Sequence, residues 1–341
     1  MRTAGGAKIG GMPLVALLAG SPMAGMAMAP RPPGLDLHTA LTGWSRGPFA
    51  FVVLAACLGA AAWYLRAVKA LQARGRKWSG RRTAAFLAGL LSVELALGSA
   101  VATLSMTMFP VHVTQHLLLM FVGPPLLALG APSTLLLQTA DKRVKQAWLK
   151  VLHSGAFAAL THPVTVWFMY YGAMFAFFLS PLLGDAMRHP AIMDVWNVGF
   201  LLGAACFWWP MVGLDPIPRW RMGYGLRFVN LLLGVPFESF LGIALLSLHN
   251  PVAPMYSLSS SHNGGALLWG MTELLTVVAM VPIFAQWARS DLREGRRMDA
   301  RLDAEVAAAA AGTPPRAPAA GPDPSKQRGL AATFAAIRRD A

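Results

Sequence analysis

Polar and apolar residues do not alternate along this chain at a helical or strand period. They separate into blocks, with apolar stretches at about 47–66, 83–105, 112–130, 163–183, 191–213, 226–248 and 264–288. Each is close to the ~20 residues that a helix needs to cross a bilayer core about 30 Å thick. The pattern predicts an all-α, polytopic transmembrane helix bundle of about seven spans. Gly123-Pro124-Pro125 interrupts the third stretch, where the lost backbone bonds need partners from neighbouring helices. That span is expected to kink.

The blocks between the spans carry the charge, and they alternate. Arg66, Lys69, Arg74, Arg76, Lys77, Arg81 and Arg82 fill the first loop, and Lys142, Arg143, Lys145 and Lys150 the third. Arg219, Arg221 and Arg227 flank the fifth, and Arg289, Arg293, Arg296, Arg297 and Arg301 follow the last span. The second and sixth loops have no Lys or Arg and the fourth has only Arg188. Because cytoplasmic loops retain basic residues, the expected orientation is N-terminus outside and C-terminus in the cytoplasm.

Three segments lie outside this scheme. Residues 1–29 combine Arg2 and Lys8, a short apolar run and Ala27-Met28-Ala29, the order of a signal peptide or, if retained, an N-terminal anchor. Residues 133–152 set Leu135, Leu136, Trp148, Val151 and Leu152 against the basic cluster, which predicts a cytoplasmic surface helix with Ser133 as its N-cap. The seven-helix membrane domain thus covers 30–290. A basic, Ala/Pro-rich tail covers 291–341, without the composition for a core and expected to be disordered beyond about residue 302.

Composition agrees with the block pattern: 55% of the 341 residues are hydrophobic and 13% charged, too apolar for most soluble surfaces. The net charge of +14 sits in short loops and the tail rather than in an aromatic-interleaved basic domain. Anionic lipids rather than nucleic acid are therefore the expected partner. Cys57 and Cys206 both fall inside apolar runs and read as packing residues, not as a disulfide or thiolate site.

With orientation assigned, six of the eight histidines fall towards the outer face: His38, His112, His116, His189, His249 and His262. His112 and His116 are one helical turn apart on one face, with Met106, Met108, Met120, Met193 and Met255 near the outer ends or one turn further on. Imidazole and thioether ligands together suit copper, above all Cu(I). The competing reading is that these are ordinary membrane packing and headgroup residues. Glu94, Glu238 and Glu273 lie near mid-span, at a depth where an ionisable group is costly and marks either function or a protonated interhelical bond. Similar depths predict one shared polar interior, extended by Asp194 and Asn197. Asp215-Pro216-Ile217-Pro218-Arg219 reads as a structural turn, and no nucleotide loop, nucleophile elbow or H-E-x-x-H helix is present. No enzyme is expected.

One run is specific. His112-Val113-Thr114-Gln115-His116-Leu117-Leu118-Leu119-Met120 leads into Gly123-Pro124-Pro125-Leu126-Leu127 and Leu129-Gly130-Ala131-Pro132. His189-Pro190, Trp208-Trp209-Pro210, Gly213-Leu214-Asp215-Pro216-Ile217-Pro218-Arg219 and Gly264-Gly265 follow. Over about 40–290 the chain resembles the CtaG-type assembly factors of caa(3)-type cytochrome c oxidases. It departs from them at Ser261-His262-Asn263, where members typically carry an Asp-Gln-type pair. The resemblance implies a multi-pass protein of the bacterial plasma (inner) membrane that helps mature a haem-copper oxidase by supporting copper insertion at the outer face. Its partners would be oxidase subunits and a copper chaperone. The residues themselves leave two alternatives open, a copper or proton-coupled transporter and a bis-His membrane cytochrome.

Reporter fusions test the orientation. Fusions in the loop after residue 66 and after residue 289 are expected to read cytoplasmic and one at 250–262 external. An external signal from the 66–82 loop would reverse the assignment.

Overall fold

The computed structural model describes residues 43–216, 220 and 222–310. The predicted signal segment, His38, Arg219, Arg221 and residues 311–341 lie outside them. The described residues form helices α1 (Pro48–Ala73), α2 (Gly80–Leu97), α3 (Ala100–Leu104), α4 (Phe109–Leu117), α5 (Gly123–Leu129), α6 (Pro132–Thr139), α7 (Lys142–Leu152), α8 (Gly155–Leu160), α9 (Pro163–Phe178), α10 (Leu182–Arg188), α11 (Pro190–Val212), α12 (Tyr224–Leu246) and α13 (Leu258–Ala310). Six stretches are long and apolar enough to cross a membrane, and α9 with α10 makes a seventh if that pair is one span. The protein is an all-helical, multi-pass membrane protein. The fourth span is not the straight helix expected over 163–183: α9 and α10 are bent by 72° around Ser180 and Pro181, where proline cannot continue the helical hydrogen bonding.

The third span kinks, and the break starts before the prolines. A single π-helical turn, Leu118–Val122, joins α4 to α5, with the Gly123 N–H reaching back five residues to the Leu118 carbonyl. The Met120 carbonyl has no helical donor, because the nitrogen that would serve it belongs to Pro124. Trp208 Nε1 donates to that carbonyl at 2.7 Å and the Tyr170 hydroxyl at 3.3 Å. Ser92 Oγ adds a bond to the Leu118 carbonyl at 3.0 Å. Helices α2, α9 and α11 thus supply the donors that water cannot supply at this depth.

Helix α4 is seated on the start of α13. The Phe109 N–H is capped by Ser260 Oγ at 3.0 Å, and the Phe109 ring occupies the space where Gly264 has no side chain. Gly265 in turn lets α12 approach, with the Leu245 Cβ 2.8 Å from where a Gly265 Cβ would sit. The Gly-Gly pair therefore serves two close helix contacts at once, and α12–α13 is the most extensive helix pair in the fold.

At the end of the bundle carrying the basic loops, the expected single helix over 133–152 is two helices, α6 and α7, separated at Ala140 and Asp141. Ser133 is not the cap. Ala131, at φ 49°, is the N-cap residue, and the open N–H groups of Ser133 and Thr134 are taken by Asp215 at 3.1 and 2.7 Å. Asp215 itself is described, and it acts on a helix some 80 residues away in sequence, whereas residues 217–219 of the expected turn lie outside the described residues. Helix α13 runs 53 residues, about 80 Å, and continues to Ala310 where disorder was expected beyond 302. The Ala307–Ala310 run, the best helix-forming residue repeated, and the Arg301/Glu305 spacing account for the extension.

Replacing Trp208 with Phe removes the shorter bond to the Met120 carbonyl. We expect a loss of about 1–3 kcal/mol, read as a lower unfolding temperature in detergent, and a smaller loss for Tyr170→Phe.

Candidate functional site

Of the candidate ligands, the structure brings together His112 and His116. Helical spacing puts both rings on the inner face of α4, with the two Nε2 atoms 3.0 Å apart and the rings 4.8 Å centre to centre. They are not at a wet helix end, as the sequence reading placed them: His112 is 0% and His116 1% exposed. The last turn of α9 and the middle of α11 cover that end of the third span. Phe177 and Phe178 from α9 and Phe200 from α11 wall the pair, with ring centres 5.1 Å (Phe178) and 4.7 Å (Phe200) from His116. Phe109 stacks on His112 at 6.1 Å.

The polar contacts run in one line. Tyr256, in the loop before α13, donates its hydroxyl to the Ser105 carbonyl at 2.5 Å and lies 3.0 Å from His112 Nδ1. Burial pushes the Tyr256 ionisation above the ordinary tyrosine value. At the other end, His116 Nδ1 is buried without a hydrogen-bond partner. Neither Tyr256 nor the phenylalanine cage was named from the sequence. The one available signal was a tyrosine in an otherwise small and polar outer loop.

The other candidates stand apart from this pair. His189 and His249 are exposed, and His262 Nε2 bonds to the Leu248 carbonyl at 2.9 Å. Met106 packs half-buried on the main core and Met108 on a small cluster of Ala100, Leu104 and Val111. Among the described residues no three His, Cys, Asp or Glu side chains form a metal-holding group. The pair at 3.0 Å is at hydrogen-bonding distance. A metal held between the two Nε2 atoms needs them about 4 Å apart, given metal–imidazole bonds of about 2 Å. The donor type fits copper, since two imidazoles converge in a dry cage and one ring nitrogen is free.

Of the three carboxyls, Glu238 and Glu273 lie near one another on the facing helices α12 and α13, and Glu94 does not join them. Glu238 of α12 is buried, with Thr276 Oγ1 donating to Oε2 at 3.2 Å and Oε1 unpartnered. Glu273 of α13 is half-buried and accepts from Ser239 Oγ at 2.7 Å and Trp269 Nε1 at 2.5 Å. Glu94 belongs to another part of the bundle, folded over Gly98 at the end of α2. Asn197 is buried on α11 with Oδ1 unpartnered.

The sequence signature of the family described as cytochrome c oxidase caa3 assembly factor (Caa3_CtaG) matches residues 62–290. The chain belongs to this family. The matched span contains the π turn, both histidines, the aromatic cage and Tyr256. The chain is also 31% identical over 296 residues to an uncharacterized protein of Mycobacterium bovis and, at the same values, to one of Mycobacterium tuberculosis, covering 82% of this chain and 44% of each relative. An uncharacterized protein of Mycobacterium leprae is 32% identical over 251 residues, covering 68% of this chain and 38% of the relative. The chain thus spans less than half the length of the curated relatives it matches. No solved structure matches it.

Glu238→Gln keeps shape and hydrogen-bonding capacity while removing any charge. With a hydroxyl donor and no cation at the carboxyl, we expect normal membrane abundance and an unfolding temperature within a few degrees of the parent. A collapse of abundance would show that a charge is required there.

Proposed function

We propose that this CtaG-family protein supports maturation of a haem-copper cytochrome c oxidase by transiently holding copper at His112 and His116. The observation that carries the reading is the buried imidazole pair itself, 3.0 Å apart and lying inside the family-matched region. A hydrogen-bonded histidine pair in a phenylalanine cage is an expensive feature to keep at membrane depth unless its lone pairs are used. Copper is the cargo rather than a resident cofactor, so a site that must separate to admit it suits transient holding.

The positive-inside pattern supports a plasma-membrane orientation with the basic loops in the cytoplasm and the histidine end outside. A copper chaperone would then deliver from that side and an oxidase subunit receive. Helix α7, with Lys142, Arg143, Lys145 and Lys150 on one side and the exposed Val144 and Val151 on the other, would lie among anionic headgroups.

Two full-chain variants test this. Because both rings are buried, alanine would open a cavity and blur the result, so His116→Phe is the better substitution. It fills the space with another aromatic ring, one atom larger, instead of emptying it. We expect His116→Phe to persist in the membrane, to bind Cu(I) at least about tenfold more weakly, and to leave the purified oxidase with less copper. Asp215→Asn, far from the pair, should leave oxidase copper normal. Normal oxidase copper with His116→Phe would overturn the copper role.

A further inference from the structure

A carboxyl on the lipid-facing side of a membrane helix has no water to bond to, so both of its oxygens have to be served by protein. Glu273 of α13 meets half of this requirement. Ser239 Oγ and Trp269 Nε1 both donate to Oε1, at 2.7 and 2.5 Å, and among the described residues Oε2 accepts from none. The residue is half-buried and shares its stripe of α13 with Trp269, Gly270 and Val277, of which Trp269 is 38% and Val277 59% exposed. Nothing lies within 4 Å of where a Gly270 Cβ would sit, so the bundle leaves this stripe uncovered. Arg289 follows 16 residues later, about 24 Å along the helix, which puts Glu273 near mid-depth.

The charge at this depth is one-sided. Glu238 of α12 neighbours Glu273; its Oε2 takes the Thr276 hydroxyl and its Oε1 is buried without a partner. No cation answers the two carboxyls, since the one ion pair among the described residues is Arg188 with Asp185. An acidic group at such depth is costly to keep unless something pairs with it. Ser239 and Trp269 supply hydrogen bonds but no positive charge.

We propose that the face of α13 around Glu273 is a docking surface for a transmembrane helix of another membrane protein, one that carries a Lys or Arg at mid-depth to meet Oε2. Polar side chains join helices in lipid, and small residues let the two backbones close in. Ala266 and Gly270, one helical turn apart and both exposed, permit that approach in the turns before Glu273. A second copy of this chain does not supply the cation: the described Lys and Arg residues lie between spans, at span ends or on the extension of α13 past the last span, and none is at mid-span. A lipid acyl chain would cover the apolar stripe and leave Oε2 as it is. The docking surface stands independently of the copper reading.

The test places the labelled full chain in phosphatidylcholine liposomes with a labelled polyleucine helix of about 24 residues, long enough to span, whose central residue is Lys, Gln or Leu. Energy transfer between the labels reads association. We expect the Lys helix to bind about 3–20-fold tighter than the Leu helix and tighter than the Gln helix. Glu273→Gln, which keeps both donors to Oε1, should remove the preference for Lys over Gln. Val277→Trp should block docking with the carboxyl untouched. Leu202→Trp, at a residue 60% exposed on α11, should change nothing. The proposal is overturned if the Lys helix binds no better than the Leu or Gln helix, if Glu273→Gln leaves its binding unchanged, or if Val277→Trp has no effect. Self-association of the parent that disappears in Glu273→Gln would also overturn it, by making a second copy the occupant. Unfolding temperatures in detergent separate lost docking from lost folding, and the parent's ranking of the three helices decides the proposal even where a variant folds poorly.

Discussion

A backbone carbonyl stranded inside a membrane has no water to turn to, and the Gly123-Pro124-Pro125 sequence strands the Met120 carbonyl in this way. The chain answers with side-chain donors from α9 and α11 and with a π turn that re-pairs Leu118. Those donors are large residues, and placing Trp208 and Tyr170 against the third span fixes how closely α9 and α11 approach it. The same two helices supply Phe177, Phe178 and Phe200 two or three turns nearer the other end. The proline break and the histidine cage are therefore one construction: the helices recruited to repair the backbone are the helices that exclude water from the imidazoles.

Seating α4 on α13 completes it. Ser260 caps Phe109, Gly264 receives the Phe109 ring, and the loop just before α13 brings Tyr256 to His112. Had Gly264 carried a side chain, α4 would have to move, and the 3.0 Å contact from Tyr256 to His112 would go with it. A motif that reads as helix packing thus also positions the hydroxyl that meets His112.

What the sequence disclosed follows from which physical signals are local. Span number and the kinked third helix were legible because hydropathy and proline act within about one helix length. The His112/His116 pairing was legible because spacing of four is itself a helical contact. Depth was not: position near the end of an apolar run suggested water, but burial depends on how α9 bends at Pro181 and on what α11 brings across, and neither is encoded beside the histidines. The same limit hid the split of 133–152, where the capping group is Asp215 rather than Ser133, and it made Glu94 look like a partner of Glu238 because depth along separate spans carries no information about lateral separation.

The geometry of the pair also bears on the two competing chemistries. Two imidazoles that ligate one haem iron approach from opposite faces of the macrocycle, so their nitrogens stand about 4 Å apart with a flat ring system between them. Here the rings come from successive turns of one helix, touch at 3.0 Å, and are closed in by phenylalanines from α9 and α11. No slot for a macrocycle lies between them. A proton relay through the span carboxyls would need all three linked, yet only Glu238 and Glu273 are neighbours, and Glu94 sits at the end of α2. Small-ion chemistry at the imidazoles asks least of this structure, since one ring nitrogen is already without a partner.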